Sequence, residues 1–132
     1  MRDRPYGHEL LESARDLLRE EILQTLPADK RLAALMIANA MGIVARQLAV
    51  GDAPEQAELA RLGELLGKPL PIPVSNSPHE YLKRLNRMLC EQIRAGQANP
   101  SSPRSALIFS HLREVARYRL MESNPKYLEP HI

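Results

Sequence analysis

Apolar residues recur every three or four positions along most of the chain, and prolines separate the stretches in which they do so. This spacing puts apolar side chains on one face of an α-helix, and no stretch shows the alternation that is typical of a half-buried strand. The pattern therefore predicts an all-α fold, a bundle of about five helices in a single domain over residues 1–132. The helices are expected at residues 7–26, 28–50, 53–66, 78–95 and 103–123.

The residue types at the ends of these segments support the bounds. Gly51 stands where a left-handed residue would end the second helix. Asp52 with Glu55, and Ser77 with Glu80, have the spacing of a capping box, in which each side chain bonds the backbone amide of the other residue. We therefore expect the third and fourth helices to begin at these two places.

A proline-rich connector is predicted between the third and fourth helices. Residues 67–78 hold four prolines, at positions 69, 71, 73 and 78, which remove amide donors and favour an extended backbone. We interpret the segment as a stiff connector that lies on the surface of the bundle. The alternative is a proline-rich ligand for another domain.

The second helix carries the most information, because fourteen residues from Leu32 to Ala45 include no charge. A membrane span needs about 20 such residues, so we predict a buried apolar helix and no membrane association. Either the chain's own helices surround it, or one of its faces packs on a partner or on a second copy. Small residues along it would let another backbone approach closely: Ala33, Ala34, Ala38, Ala40, Gly42 and Ala45.

If a partner covers this helix, its central residues form the candidate interface. An unpaired buried amide costs about 1–3 kcal/mol, so we expect Asn39 to be a satisfied core amide, with a role in setting the register of an interface as the alternative. Arg46 lies in the last turns, where the helix dipole favours a cation and accounts for it without a partner. The candidate interface residues are Met36, Asn39, Ala40, Gly42, Ile43 and Arg46.

The net charge of +2 hides an uneven distribution. Residues 1–78 carry fewer basic than acidic side chains, whereas residues 79–132 carry more. The cations of the last two helices could bind phosphate groups, but we favour a solvated, salt-bridged face, because acidic residues lie three or four positions away. The connection between these helices is too long for a helix-turn-helix, so no nucleic acid is expected. The cations are Lys83, Arg84, Arg87, Arg94, Arg104, Arg113, Arg117 and Arg119.

No catalytic, cofactor-binding or metal-binding residues are predicted. The four histidines lack the spacing of metal ligands, and no glycine-rich phosphate-binding motif is present. The single cysteine, Cys90, is expected to be an inert thiol at the edge of the core. One cysteine and no apolar run like a signal peptide favour a cytoplasmic protein. Because no catalytic constellation is found, we expect that the chain is not itself an enzyme.

Three stretches resemble a family of small bacterial helical proteins of unknown function. They are Arg4-Pro5 followed by Glu9, the run from Ala38 to Ile43 followed by Arg46, and Asn124-Pro125 followed by Tyr127. Members of that family are commonly encoded beside an aminoglycoside-phosphotransferase-like kinase and an acyl-CoA-dehydrogenase-like protein. One member type is the small accessory subunit of the 4-hydroxyacyl-CoA kinase of levulinate catabolism.

The resemblance implies a non-catalytic accessory subunit. Such a subunit would bind and stabilise or activate a phosphotransferase-family kinase that acts on hydroxyacyl-CoA-type substrates, and the kinase would supply the ATP site. The alternative is a stand-alone homodimeric helical bundle with a structural or ligand-binding regulatory role. The two hypotheses predict different partners for the second helix, which are the kinase in the first and a second copy of this chain in the second.

Overall fold

A computed structural model describes residues 3–68 and 77–129, and it contains five α-helices with no strand in these two ranges. The all-α class and the number of helices are therefore confirmed. The predicted proline-rich connector lies, at residues 69–76, outside the described residues. The helices are α1 (Gly7–Leu17), α2 (Ala28–Val50), α3 (Ala53–Leu66), α4 (Pro78–Arg94) and α5 (Ser105–Ser123).

Irregular turns extend two of these helices. After α1 the chain continues through a π-helical turn, Leu18–Ile22, and a 3₁₀ turn, Leu23–Thr25, so the helical path reaches almost as far as predicted. A further 3₁₀ turn, Pro125–Leu128, follows α5. Asn124 ends α5 as expected, because the residue before a proline avoids the helical region.

The two predicted capping boxes have different outcomes. The Ser77 side chain accepts a hydrogen bond of 3.2 Å from the backbone amide of Glu80 and so caps α4 as expected, but the reciprocal bond to the Glu80 side chain is not seen among the described residues. The Asp52 side chain makes no capping bond, so that prediction is wrong. The backbone of Asp52 lies near the helical region, at φ −87° and ψ −2°, rather than in the extended conformation that points a cap side chain at the helix.

The contacts divide the chain into two compact units. The hairpin unit runs to Gly51 and includes Glu122–Pro125, and the core unit runs from Asp52 to Met121 and resumes at Lys126. The hairpin unit therefore contains α1, α2 and the last residues of α5, whereas the core unit contains α3, α4 and most of α5. The single domain predicted over residues 1–132 stays a prediction.

In the hairpin unit, α1 and α2 pack antiparallel. A Cβ placed on Gly7, in the first turn of α1, would lie 3.5 Å from Leu48 Cδ1 in the last turns of α2. A Cβ placed on Gly42 would lie 3.1 Å from Arg15 Nη1. The buried residues of α2 follow one stripe and are all small: Ala34, Ala38, Gly42 and Ala45.

The chain's own helices do not surround α2, so that alternative for its burial is wrong, whereas coverage of one face by a partner or a second copy stays a prediction. Only 22% of its most apolar window is buried. The reason is geometric, since α1 covers one stripe of small residues and the larger side chains point elsewhere around the helix. By length and composition alone, α2 is also the one helix of the described residues that could cross a membrane, and a single such helix is weak evidence.

The core unit holds the large buried side chains. Its apolar cluster joins three helices, and leucines of α3 and α4 supply most of it. Cys90 is exposed, so its predicted place at the edge of the core is wrong, because one residue beyond the buried Leu89 turns the helix by about 100°. The cluster consists of Leu59, Leu62, Tyr81, Leu82, Leu85, Leu89 and Ile108.

Candidate functional site

The most exposed apolar surface of the hairpin unit lies on α2, away from the small buried stripe. Leu32 and Met36 leave 70% and 65% of their surface exposed, and more than half of Ile37 is exposed. Large apolar side chains are rarely left together in solvent unless something binds them. We call this surface the α2 apolar face, and it consists of Leu32, Met36, Ile37 and Val44.

The candidate interface residues of α2 fall into two groups. Met36, Asn39 and Ala40 are exposed, and Ile43 is half-buried beside them. The prediction that Asn39 is a satisfied core amide is therefore wrong. Gly42 is buried on the opposite side, so it does not belong to the α2 apolar face.

Arg46 is engaged within the hairpin unit. Its Nε donates a hydrogen bond of 2.6 Å to the backbone oxygen of Glu122, and the neighbouring Gln47 Nε2 lies 3.4 Å from a carboxylate oxygen of Glu122. The carbonyls in the last turn of a helix lack partners within the helix, so Arg46 satisfies one of them at the end of α5. Its guanidinium also covers Gly42, at 3.3 Å from a Cβ placed there.

The first of the three stretches that resemble the family, Arg4-Pro5 followed by Glu9, lies at the start of α1, where its side chains interact. Arg4 Nε lies 3.7 Å from Glu9 Oε1, and the other carboxylate oxygen of Glu9 accepts a hydrogen bond of 2.8 Å from the Tyr6 amide. Arg4 also lies over the Tyr6 ring, at 5.7 Å from the ring centre. Arg4 and Glu9 therefore hold the first turn of α1, and Pro5 lies between Arg4 and Tyr6.

The residues of the last family motif lie beyond α5. Asn124, Pro125 and Tyr127 are all exposed, and Tyr127 belongs to the final 3₁₀ turn. No hydrogen bond of their side chains is seen within the described ranges. These residues therefore have free surface, in contrast to Arg4 and Glu9.

The core unit carries a groove on the outer side of α4. All the residues that line it lie on one face of this single helix, and the space beside them, about 450 Å³, is largely open to solvent. Three cations, one carboxylate, one amide and the exposed thiol line it. The lining residues are Lys83, Asn86, Arg87, Cys90, Glu91 and Arg94.

The salt-bridged face predicted for α4 is not formed around this groove. Within the part of the chain that the structure describes, Lys83, Arg87 and Arg94 have no carboxylate within 4.0 Å. Arg104, predicted as part of the same basic set, instead has a structural role. It donates to Gln92 Oε1 at 2.7 Å and to the backbone oxygen of Leu65.

A buried polar cluster lies between α3, α4 and α5. Glu58 and His111 are both buried, and Glu58 Oε1 accepts a hydrogen bond of 3.1 Å from Asn86 Nδ2. Arg61 Nε and Nη2, and His111 Nδ1, are buried without a hydrogen-bond partner among the described residues. Burial, and then the charge of Arg61, lower the pKa of His111 below its usual 6.5, and Glu58 opposes this shift. His111 is therefore neutral in the fold at pH 7.

The sequence analysis did not identify this cluster. Glu58 precedes the buried Leu62 by four residues, and His111 follows Ile108 by three residues, so both share a helix face with core residues. This spacing is the sequence signal that could have predicted the burial of Glu58 and His111. The described residues include no group of three histidine, cysteine, aspartate or glutamate side chains that could hold a metal ion.

Fold and surface together define a small all-α protein with an exposed apolar helix and a basic groove. A family described as a domain of unknown function, DUF6285, matches residues 24–127, which is well over half of the chain. The chain belongs to this family. The match includes α2 and the last motif but begins after Arg4, Pro5 and Glu9. Comparisons with curated proteins and with solved structures find no match.

Proposed function

We propose that this protein is a non-catalytic, cytoplasmic accessory subunit that binds a partner protein through the α2 apolar face. The observation that carries the proposal is the exposure of Leu32, Met36 and Ile37 on a helix with no charge over fourteen residues. Covering such a surface is favourable by roughly 25 cal/mol for each Å² of apolar area removed from water.

The hairpin unit gives this face a defined shape. The small residues on the other side of α2 let α1 approach closely, and Arg46 holds the end of α2 to Glu122. A partner would therefore meet a helix that is already positioned, so binding would cost less conformational entropy than the ordering of a free helix.

The resemblance in sequence supports a particular partner. It points to a phosphotransferase-family kinase that acts on hydroxyacyl-CoA-type substrates and supplies the ATP site. In this proposal the protein stabilises or activates the kinase, and the exposed Met36, Ala40 and Asn39 lie in the contact.

Co-expression with a phosphotransferase-family kinase of the kind that the resemblance implies tests this proposal. We expect a complex by size-exclusion chromatography with light scattering, and higher kinase activity with the protein than without it. The double variant Met36→Ser/Ile37→Ser should lose the complex and keep its helical circular dichroism.

A matched control separates this effect from a general loss of apolar surface. Leu107 and Phe109 on α5 are exposed to a similar degree, so Leu107→Ser/Phe109→Ser removes comparable surface from the core unit. This variant should still bind the kinase. Equal loss of binding in both double variants, or a kinase that is equally active alone, would contradict the proposal.

A homodimeric bundle is the second candidate, and the exposure of Asn39 near the middle of α2 favours it. Residues on the axis of a two-fold dimer meet their own copy, and an amide can both donate to and accept from itself. If this candidate is correct, light scattering gives a stable dimer that does not bind the kinase, and Asn39→Asp weakens the dimer by placing two carboxylates together.

A further inference from the structure

We propose that the groove on α4 binds a small molecule that carries more than one phosphate group and also offers a hydrogen-bond donor, as nucleotides do. The groove is lined by Lys83, Asn86, Arg87, Cys90, Glu91 and Arg94. This site belongs to the core unit and is separate from the α2 apolar face.

The charge of the groove is the first argument. Three cations face one carboxylate, and none of the three has an ion-pair partner in the described ranges. Two of them are arginines, whose planar groups bind phosphate through two parallel hydrogen bonds. The groove is therefore positive and its cations are available.

The spacing of the cations is the second argument. Lys83 and Arg87 are one helical turn apart, about 6 Å along the axis, whereas Arg94 lies about 10 Å further on. A single inorganic phosphate can reach the first two cations but not the third. A ligand that uses all three needs phosphate groups in more than one place, or a chain of them.

The hydrogen bonds of Asn86, one of the lining residues, give the third argument. Its Nδ2 donates to Glu58 Oε1 at 3.1 Å and to the backbone oxygen of Leu82 at 3.2 Å, so both amide hydrogens are used inside the protein. Only the carbonyl oxygen of Asn86 is left for a ligand, and it accepts hydrogen bonds. Because the buried Glu58 fixes this side chain, the acceptor is positioned before a ligand arrives. A hydroxyl or amide of the ligand is its natural partner.

Isothermal titration of the purified full chain with ATP, coenzyme A and inorganic phosphate tests the proposal. We expect ATP or coenzyme A to bind at least about tenfold more tightly than inorganic phosphate. The probe that binds more tightly distinguishes a nucleoside triphosphate from a coenzyme A ligand. The triple variant Lys83→Gln/Arg87→Gln/Arg94→Gln should weaken this binding about tenfold or more, which corresponds to a modest contribution from each exposed ion pair.

The control variant removes the same charge outside the groove. Arg84→Gln/Arg113→Gln/Arg117→Gln changes three exposed cations of α4 and α5 that do not line it. Binding by this variant should stay within about twofold of the original value. Equal weakening in the two triple variants, equal affinity for inorganic phosphate, or no binding by any probe would each overturn the proposal. Because no partner protein is present, failure here leaves the test of the accessory subunit intact.

Discussion

The two units of this protein use apolar residues in opposite ways. In the core unit, large side chains such as Leu62, Leu85 and Ile108 are fully buried between three helices. In the hairpin unit, α2 buries only alanines and a glycine, and α1 buries no residue. The larger side chains of α2 are the exposed ones.

The difference shows that apolar content and apolar burial are separate properties of a helix. Burial of large side chains supplies most of the free energy of folding, so the core unit has its own source of stability. The hairpin unit gains close backbone contact, but large apolar side chains such as Leu32, Met36 and Ile37 stay exposed to water. The hairpin unit is therefore the part of the chain that gains most from a partner.

The largest effect is expected from a truncation in the core unit. Leu85 is 1% exposed, so Leu85→Ala should lower the free energy of unfolding by about 2–5 kcal/mol. Met36→Ala, on the α2 apolar face, should change it by less than about 0.5 kcal/mol. Chemical denaturation followed by circular dichroism measures both. A large effect of Met36→Ala on the isolated protein would show that the α2 apolar face is covered in solution.

A smaller effect, with opposite signs in the two units, is expected from glycine to alanine changes. A Cβ on Gly63 in α3 would meet the backbone oxygen of Lys68 at 3.0 Å, which cannot move easily, so Gly63→Ala should destabilise by about 1–3 kcal/mol. A Cβ on Gly42 would come nearest to guanidinium nitrogens of Arg15 and Arg46, at 3.1 and 3.3 Å, and these side chains need to move by only a few tenths of an ångström. Because alanine favours helix by up to about 1 kcal/mol, Gly42→Ala should stabilise by roughly 0.5 kcal/mol.

Thermal unfolding of the two glycine variants checks this contrast. The melting temperature should fall for Gly63→Ala and rise slightly for Gly42→Ala. If Gly42→Ala were the more damaging change, the packing of α1 on α2 would be tighter than the structure shows.

The smallest effect concerns pH and the buried His111. Because its pKa is lowered in the fold, the unfolded chain binds a proton more readily than the folded chain once the pH falls below 6.5. Stability should therefore fall as the pH drops through 6.5 toward the lowered pKa, and His111 should contribute no pH dependence above that range. Arg61 strengthens this shift and Glu58 weakens it.

Denaturation curves measured between about pH 5 and 8 test this expectation. The slope of stability against pH on the acid side should be smaller in His111→Gln than in the original protein. His79→Gln, which changes an exposed histidine at the start of α4, is the control and should leave the slope unchanged. An unchanged slope in His111→Gln would contradict the assigned cause.

Helix positions could be predicted from the sequence because prolines and glycines act locally. Ser77-Pro78 starts α4 and Asn124-Pro125 ends α5, and both effects depend only on neighbouring backbone groups. The core of α3 and α4 followed from the leucine spacing for the same reason. Asp52 shows the limit of local reasoning, since its backbone conformation, and not its residue type, prevents the cap.

The surfaces were harder to predict because they depend on which helices meet. The uncharged run of α2 indicated burial, but no local pattern shows how many sides of a helix will be covered. The sequence showed the basic residues of α4. It did not predict the hydrogen bond between Asn86 and Glu58, because these two residues are 28 positions apart. Long-range polar contacts of this kind have no signature in a single sequence.

The bond between Arg46 and Glu122 has a consequence for the synthesis of the chain. The two residues are 76 positions apart, whereas α1 and α2 are neighbours along the sequence. Local contacts form quickly, so α1 and α2 can pair while the ribosome is still adding α3. The end of α2 gains its partner only after Glu122 has been synthesised. During translation, therefore, the hairpin unit can form this hydrogen bond only after the residues between Arg46 and Glu122 have been synthesised.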